Sequence, residues 1–174
     1  MSFDLALLFL RIAVGLILAA HGSQKLFGWF GGRGLVAAAG MIEKMGFRPG
    51  RLWALIATGS EFGGGLALVL GLLMPLPALG ILAAMLIAVG KAHWKNGFWG
   101  SKGGYEYPLL LLILAAVLGL AGPGRYSLDA LLGIALPVMP VFWGGLIVAL
   151  VVIGVGLAAG RRPEQQPAPR QHAA

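Results

Sequence analysis

Cysteine is absent from this chain of 174 residues. That excludes disulfides, thiolate nucleophiles, cysteine-held iron–sulfur clusters and cysteine-based zinc sites. Any redox chemistry would therefore need a bound cofactor. Charge is scarce as well: Asp, Glu, Lys and Arg make up 11% of the residues, only six of them acidic, against 59% hydrophobic residues. With a mean hydropathy of +0.88, a soluble domain of this size could not bury so much apolar surface, and the composition is that of an integral membrane protein. No paired carboxylates, Ser/His/Asp set or HExxH motif occurs, so hydrolytic chemistry has no support. No glycine-rich loop joins a strand to a helix, so the 29 glycines do not read as a phosphate cradle. A net charge of +7 would point to nucleic acid in a soluble protein. Here it reads as membrane topology and anionic lipid, with no nucleic-acid partner.

What is present is a series of apolar runs near residues 4–22, 52–73, 76–93, 106–122 and 141–159. Each is long enough for a hydrocarbon core of ~30 Å at ~1.5 Å per helical residue. The fold class is therefore an all-α polytopic membrane bundle. The N-terminal run lacks a basic leader and carries Asp4 and Arg11, so it reads as a retained span rather than a signal peptide. The second and third runs are joined by Met74-Pro75-Leu76-Pro77, a turn that permits only an antiparallel hairpin. Pro137 and Pro140 blur the start of the fifth, and Ser127 to Leu136 reads as a short interfacial helix with Ser127 as N-cap. From residue 161 onward the chain is a Pro/Gln/Ala tail with Arg161 and Arg162 at its border, read as disordered.

Basic residues mark the topology. The side on which the first span ends receives Lys25, Arg33, Lys44, Arg48 and Arg51, then Lys91, Lys95 and Lys102, then Arg161, Arg162 and Arg170, whereas the opposite side receives Arg125. The asymmetry puts the basic side in the cytoplasm, with the N-terminus outside and the C-terminus inside. Trp29, Trp53, Trp94 and Trp99 lie near the same side, as an aromatic belt would. Two loops there are more than linkers. Leu26 to Gly32 reads as a loop dipping into the interface ahead of a surface helix from Leu35 to Met45, and His93 to Tyr105 is similarly rich in aromatics and glycine. The two loops share spacing: His21, Gln24 and Gly31-Gly32 against His93, Asn96 and Gly103-Gly104. Each precedes a span with one acid, Glu61 or Glu106, the pattern of a parallel internal repeat.

The candidate site residues are the polar groups within and just beyond the spans. Arg11 is the one charge in Leu5 to Ala20, and an unpaired guanidinium in hydrocarbon costs about 2.5–3.5 kcal/mol or more. Glu61 is its expected partner, since both lie roughly 15 Å from the basic side at ~1.5 Å per residue. The pair is either a structural salt bridge or the lining of a polar cavity for a quinone, a proton or an anion. Small residues near Glu61 (Ala54, Ala57, Thr58, Gly64, Gly65) permit close helix approach, and Gly59-x-x-x-Gly63 and Gly156-x-x-x-Gly160 read as packing motifs. His21, Gln24 and Lys25 share a face if the first helix runs through Gly22. With His93, Asn96 and Glu106 they could form one polar mouth at the cytoplasmic interface. There a histidine could bond a quinone carbonyl and pass its proton, while Lys25 and Lys91 could simply snorkel. His21 and His93 could also ligate haem, a reading that ranks well behind quinone because helix-end histidines are commonly interfacial.

Several separated motifs resemble the DoxX family. They are the run from His21-Gly22-Ser23-Gln24-Lys25 through Leu26-Phe27-Gly28-Trp29-Phe30-Gly31-Gly32, then Gly104-Tyr105-Glu106-Tyr107 opening an apolar helix, then Gly122-Pro123-Gly124-Arg125-Tyr126-Ser127-Leu128-Asp129 closing it. Arg11 and Glu61 stand where that family carries intramembrane charges. The resemblance covers roughly residues 4–136. It implies a four-helix bundle in the bacterial cytoplasmic (inner) membrane, associated with quinone-coupled oxidation of sulfur compounds and with oxidoreductase complexes that handle oxidative stress. The related DoxD proteins are the membrane subunit of a thiosulfate:quinone oxidoreductase. The expected division is a DoxX-like bundle over 1–136, an additional membrane helix over 137–160 and a basic cytoplasmic tail over 161–174. The added helix, which departs from the family pattern, could dock a partner.

The expected function is an integral membrane subunit of a quinone-linked redox system, assembled with a protein partner or as a homo-oligomer in the bilayer. The alternative is a non-enzymatic scaffold, assembly factor or chaperone-like membrane protein. Transport of a small polar solute ranks third, because the spans show no broken helices.

Overall fold

The structure is a computed structural model that describes residues 2–160; the tail expected over 161–174 lies outside the described residues. Seven α-helices occur among them and no strand. They are α1 (Ser2–Leu26), α2 (Gly34–Lys44), α3 (Gly50–Leu70), α4 (Leu76–Ile87), α5 (Glu106–Ala121), α6 (Leu128–Leu132) and α7 (Val138–Gly160). Helix α4 continues through a π-helical turn, Ala88–His93, and a 3-10 turn, Trp94–Asn96. α1, α3, α4 with its extension and α7 are each long and apolar enough to cross a bilayer, and α5 is a shorter apolar helix. The chain is a multi-pass membrane protein.

Glycine sets the central contact. A side chain on Gly15 would strike the Gly65 carbonyl and Val69, one on Gly65 would strike Gly15 and Ala19, and one on Gly22 would strike the backbone of Phe62. α1 and α3 thus run antiparallel with their backbones touching, the close approach small residues permit where lipid removes the hydrophobic drive between helices. Gly22 costs helix propensity of about 1 kcal/mol relative to Ala, yet it is buried against α3 and the helix runs on to Leu26. α3 turns its buried stripe (Ala54, Thr58, Glu61, Gly65, Leu68) toward this seam. The Gly59-x-x-x-Gly63 expectation fails here. Neither glycine has a neighbour within 4 Å of an added Cβ, because the buried stripe of α3 lies on another face. Gly156 and Gly160 do pack, against Trp53 and Phe47 and against Gly46 respectively.

The main core joins Val14 and Leu18 of α1, Ile81 and Met85 of α4, and Leu111 and Leu118 of α5. A second, smaller core holds α2 against α3 through Ala38, Ile42, Phe47 and Ala54. α7 is pinned at two places: Phe142 belongs to the main core, and Ile153 and Leu157 pack on the second. Pro140 falls in the first turn of α7, where a missing N–H is tolerated. α6 is capped by Ser127, whose hydroxyl accepts a bond from the Ala130 N–H at 3.1 Å, the N-cap expected from the sequence, but it stops at Leu132 before a left-handed Gly133, short of the expected Leu136.

The two basic-side loops also match in backbone. Gly31 and Gly103 are both left-handed, at φ 77° and 73°. Gly32 and Gly104 are both pressed against preceding backbone, at Gln24 and at Gly97–Phe98. Left-handed φ favours glycine, which accounts for the first member of each Gly-Gly pair.

Candidate functional site

The polar residues separate into two clusters at opposite ends of the bundle. At the basic end, the fourteen residues of α1 beyond Arg11 carry the helix to Lys25. Its ammonium donates to both carboxylate oxygens of Glu61, at 2.5 and 2.6 Å. Glu61 is 3% exposed and half a helix below the start of α3, while the Lys25 side chain is 35% exposed. A buried carboxylate so held is neutralised in place; removal of its partner would leave an uncompensated charge.

One turn before Lys25, His21 Nε2 lies 3.0 Å from the Tyr107 hydroxyl, with the rings tilted at 51°. Tyr107 stands in the first turn of α5. His93 reaches the same space from the π-helical turn of α4, its Nδ1 2.8 Å from the Gly103 carbonyl. A π turn carries an extra residue and so rotates the residues beyond it to a different face, a device frequent at functional sites. His21, Lys25, Glu61, His93 and Tyr107 line one chamber of about 320 Å³, floored by Leu18, Met85 and Leu111. That is the lower end of the ~300–1,000 Å³ typical of small-molecule pockets. Lys25 and Glu61 meet there as an ion pair, and the remaining polar side chains are two imidazoles and a phenol.

Three of the sequence candidates frame the chamber without lining it. Gln24 Nε2 donates to the Phe30 carbonyl at 3.2 Å, Asn96 Nδ2 donates to the Gly103 carbonyl at 3.0 Å, and Glu106 accepts from the Gly100 N–H at 2.8 Å. Each ties a loop to the helix beside it. Lys91 is exposed.

The expected Arg11–Glu61 pair does not form. The Gly15–Gly65 and Gly22–Phe62 approaches fix the antiparallel register, and in that register Lys25 comes level with Glu61 while Arg11 comes level with Gly71. Counting from the loop ends put the two charges at one depth because it stopped the first helix near Gly22. Arg11 is 1% exposed and donates from its two terminal nitrogens to the carbonyls of Pro123 and Tyr126. Its guanidinium abuts Gly71, just past the C-terminus of α3, where the helix dipole favours a cation. Beside it Asp129, also 1% exposed, accepts from the N–H groups of Leu73 and Met74 at 2.8 and 2.9 Å. Asp4 accepts from the Arg125 N–H at 3.1 Å. Arg11 and Asp129 therefore lace the α3–α4 and α5–α6 loops over the end of the bundle opposite the chamber.

Sequence reasoning missed two residues. Tyr107 was overshadowed by Glu106, though its place one residue into the fourth span was a usable signal. Asp129 looked like an ordinary first-turn acid after an N-cap, and nothing local shows that it bonds a loop 55 residues away. Among the described residues no group of three or more His, Asp or Glu gathers within metal-binding reach.

A family profile described as DoxX matches residues 6–94, from α1 through the π-helical turn, and the chain belongs to the DoxX family. No curated protein and no solved structure matches it.

Proposed function

We propose that this DoxX-family protein is the quinone-binding membrane subunit of a redox system, of the kind that oxidises sulfur compounds or answers oxidative stress, in the bacterial cytoplasmic membrane. The observation that carries the reading is the chamber in which the His21–Tyr107 hydrogen bond and the Lys25–Glu61 ion pair face one space of about 320 Å³. A bound quinone would supply two-electron, two-proton chemistry. The residues fit that group: the hydrogen-bonded Tyr107–His21 pair has one donor left to offer a ring carbonyl, and imidazole is the side chain best suited to exchange a proton near neutral pH. Glu61 and Lys25 form an adjoining ion pair. Leu18, Met85 and Leu111 keep water from the apolar face of the ring. With no cysteine in the chain, the electrons are assigned to a partner protein docked at the basic end. Phe30, Trp94 and Trp99 stand exposed there.

In this reading residues 1–136 make the four-span core, 137–160 an added span, and the basic loops face the cytoplasm. Haem between His21 and His93 is not favoured, because His21 Nε2 is engaged by Tyr107. The test is solvent extraction of the purified full-length protein with mass spectrometry of the released molecules. Stoichiometric quinone, lost in His21→Ala and in Glu61→Gln, is the expected result. A quinone-free parent protein that retains another polypeptide would overturn the reading in favour of a scaffold, assembly factor or chaperone-like role.

A further inference from the structure

α7 touches the bundle near its two ends and stands off between them. Phe142 lies against Gly119, and Gly156 lies against Trp53 and Phe47. Between these anchors Val148, Ala149 and Val152 of α7 face Ala83 and Ile87 of α4 and Ile56 of α3 across a groove of about 300 Å³. The groove runs along the twelve residues of α4. Its lining is apolar, with Ser60 carrying the one hydroxyl.

The groove is not isolated. It shares Ile42, Ala57, Ala84 and Ile87 with a neck of about 140 Å³, and the neck shares Lys25, Glu61, Ala88 and His93 with the polar chamber. The three cavities therefore adjoin in series, from the groove beneath α7, past Ala57, Ala84 and Ala88, to the chamber of the His21–Tyr107 pair. The series is apolar at one end and polar at the other, with the neck as its narrowest part. Its polar end is electrically balanced: the single ammonium is already held by Glu61 on both oxygens. An anionic phosphate would find no free lysine or arginine there among the described residues, whereas a neutral head with hydrogen-bonding oxygens meets Tyr107 and His21.

We propose that α7 closes a channel for the single apolar tail of a neutral, ring-headed lipid of the isoprenoid-quinone class, whose head occupies the chamber. The proposal rests on the chamber reading above and adds three things to it: a route in from the membrane, a selection for one tail, and a role for α7, which lies outside the matched family region. The tail gains little from burial alone, since lipid is already apolar. Its contribution is steric, so a blocked groove should exclude a tailed ligand and spare a tail-less one.

The test titrates a decyl-tailed benzoquinone and its tail-less ring into the full-length protein in phosphatidylcholine nanodiscs. Ala149→Trp on α7 and Ala83→Trp on α4 fill the groove from opposite walls. The expected result is an affinity loss of about tenfold or more for the tailed ligand, the scale of overpacking by one side chain, with tail-less binding retained. Retained tail-less binding also shows that the variants fold. Equal binding of both ligands by parent and variants would overturn the channel and leave the chamber intact. Absence of binding of either ligand to the parent would overturn both. A photoreactive diazirine at the end of the decyl tail needs no variant. Adducts on Val148–Ile153 support the proposal, and adducts elsewhere, or labelling of those residues only by a diazirine phospholipid that quinone does not compete, would overturn it.

Discussion

Lys25 and Glu61 meet with both carboxylate oxygens engaged, at 2.5 and 2.6 Å, although 36 residues separate them. The contact exists because α1 runs three residues past Gly22 to the lysine, and because the glycine seam between α1 and α3 sets the register. It places the only acid of α3 beside the last cation of α1.

The two members of that pair should differ in sensitivity. Lys25→Met leaves a buried carboxylate without a partner and should destabilise by roughly 2 kcal/mol, below the ~3–5 kcal/mol of a fully buried pair because Lys25 is partly solvated. Glu61→Gln leaves a lysine that can reach the interface and should cost less. The double variant Lys25→Met/Glu61→Gln should recover much of the loss. Thermal unfolding of all three in one detergent checks the cycle, and strictly additive effects would show that the pair has no coupling.

Arg11 should matter to the fold and not to the ligand. Its fork spans two carbonyls on different residues, Pro123 and Tyr126, which a lysine ammonium cannot do in the same geometry. Arg11→Lys and Arg11→Met should both lower thermal stability, the latter by about 3 kcal/mol, as stranded carbonyls and lost charged hydrogen bonds imply. Quinone recovered per folded molecule should be unchanged. A loss of quinone with stability preserved would place Arg11 in the ligand pathway instead.

Much of the architecture was legible because hydrophobic periodicity and loop chemistry are local. The apolar runs foretold α1, α3, α4, α5 and α7 to within a few residues, and Leu35–Met45 foretold α2. Depth was the failure. Arg11 and Glu61 looked level by counting from loop ends, but register in a membrane bundle is decided by where backbones can touch, here Gly15 on Gly65 and Gly22 on Phe62. Composition marked glycine as abundant without telling which glycines face inward, so Gly59 and Gly63 were misassigned. His21, Lys25, Glu61 and His93 were all named from sequence and the fold gathers them around one chamber. Tyr107 was missed because a phenol beside a carboxylate draws less notice than the charge, and Asp129 because its partners lie on a distant loop.

The glycine seam can be checked directly. Gly15→Leu should drive α1 away from α3, since its side chain would meet the Gly65 carbonyl and both the side chain and the backbone N of Val69. Gly59→Leu, with open space around it, should be tolerated and serves as a control of equal chemistry. Melting temperatures that fall for Gly15→Leu and hold for Gly59→Leu are expected. The reverse order would mean that α3 packs through its other face.

The His21–Tyr107 contact yields the sharpest functional prediction. Tyr107→Phe keeps the ring that packs on His21 at a centroid distance of 5.5 Å and removes only the hydroxyl. The bundle should stay folded, because Tyr107 is 42% exposed and its loss opens no cavity. A single hydrogen bond to a neutral acceptor contributes about 1 kcal/mol net, so affinity for a benzoquinone should fall several-fold, near but below tenfold. His21→Ala removes the partner and the proton-exchanging group together and should weaken binding further. If Tyr107→Phe binds like the parent while His21→Ala loses binding, the imidazole alone contacts the head and the phenol serves only to hold it. If neither substitution changes binding, the head lies elsewhere in the chamber, nearer Glu61 and His93, and its placement against the His21–Tyr107 pair is wrong.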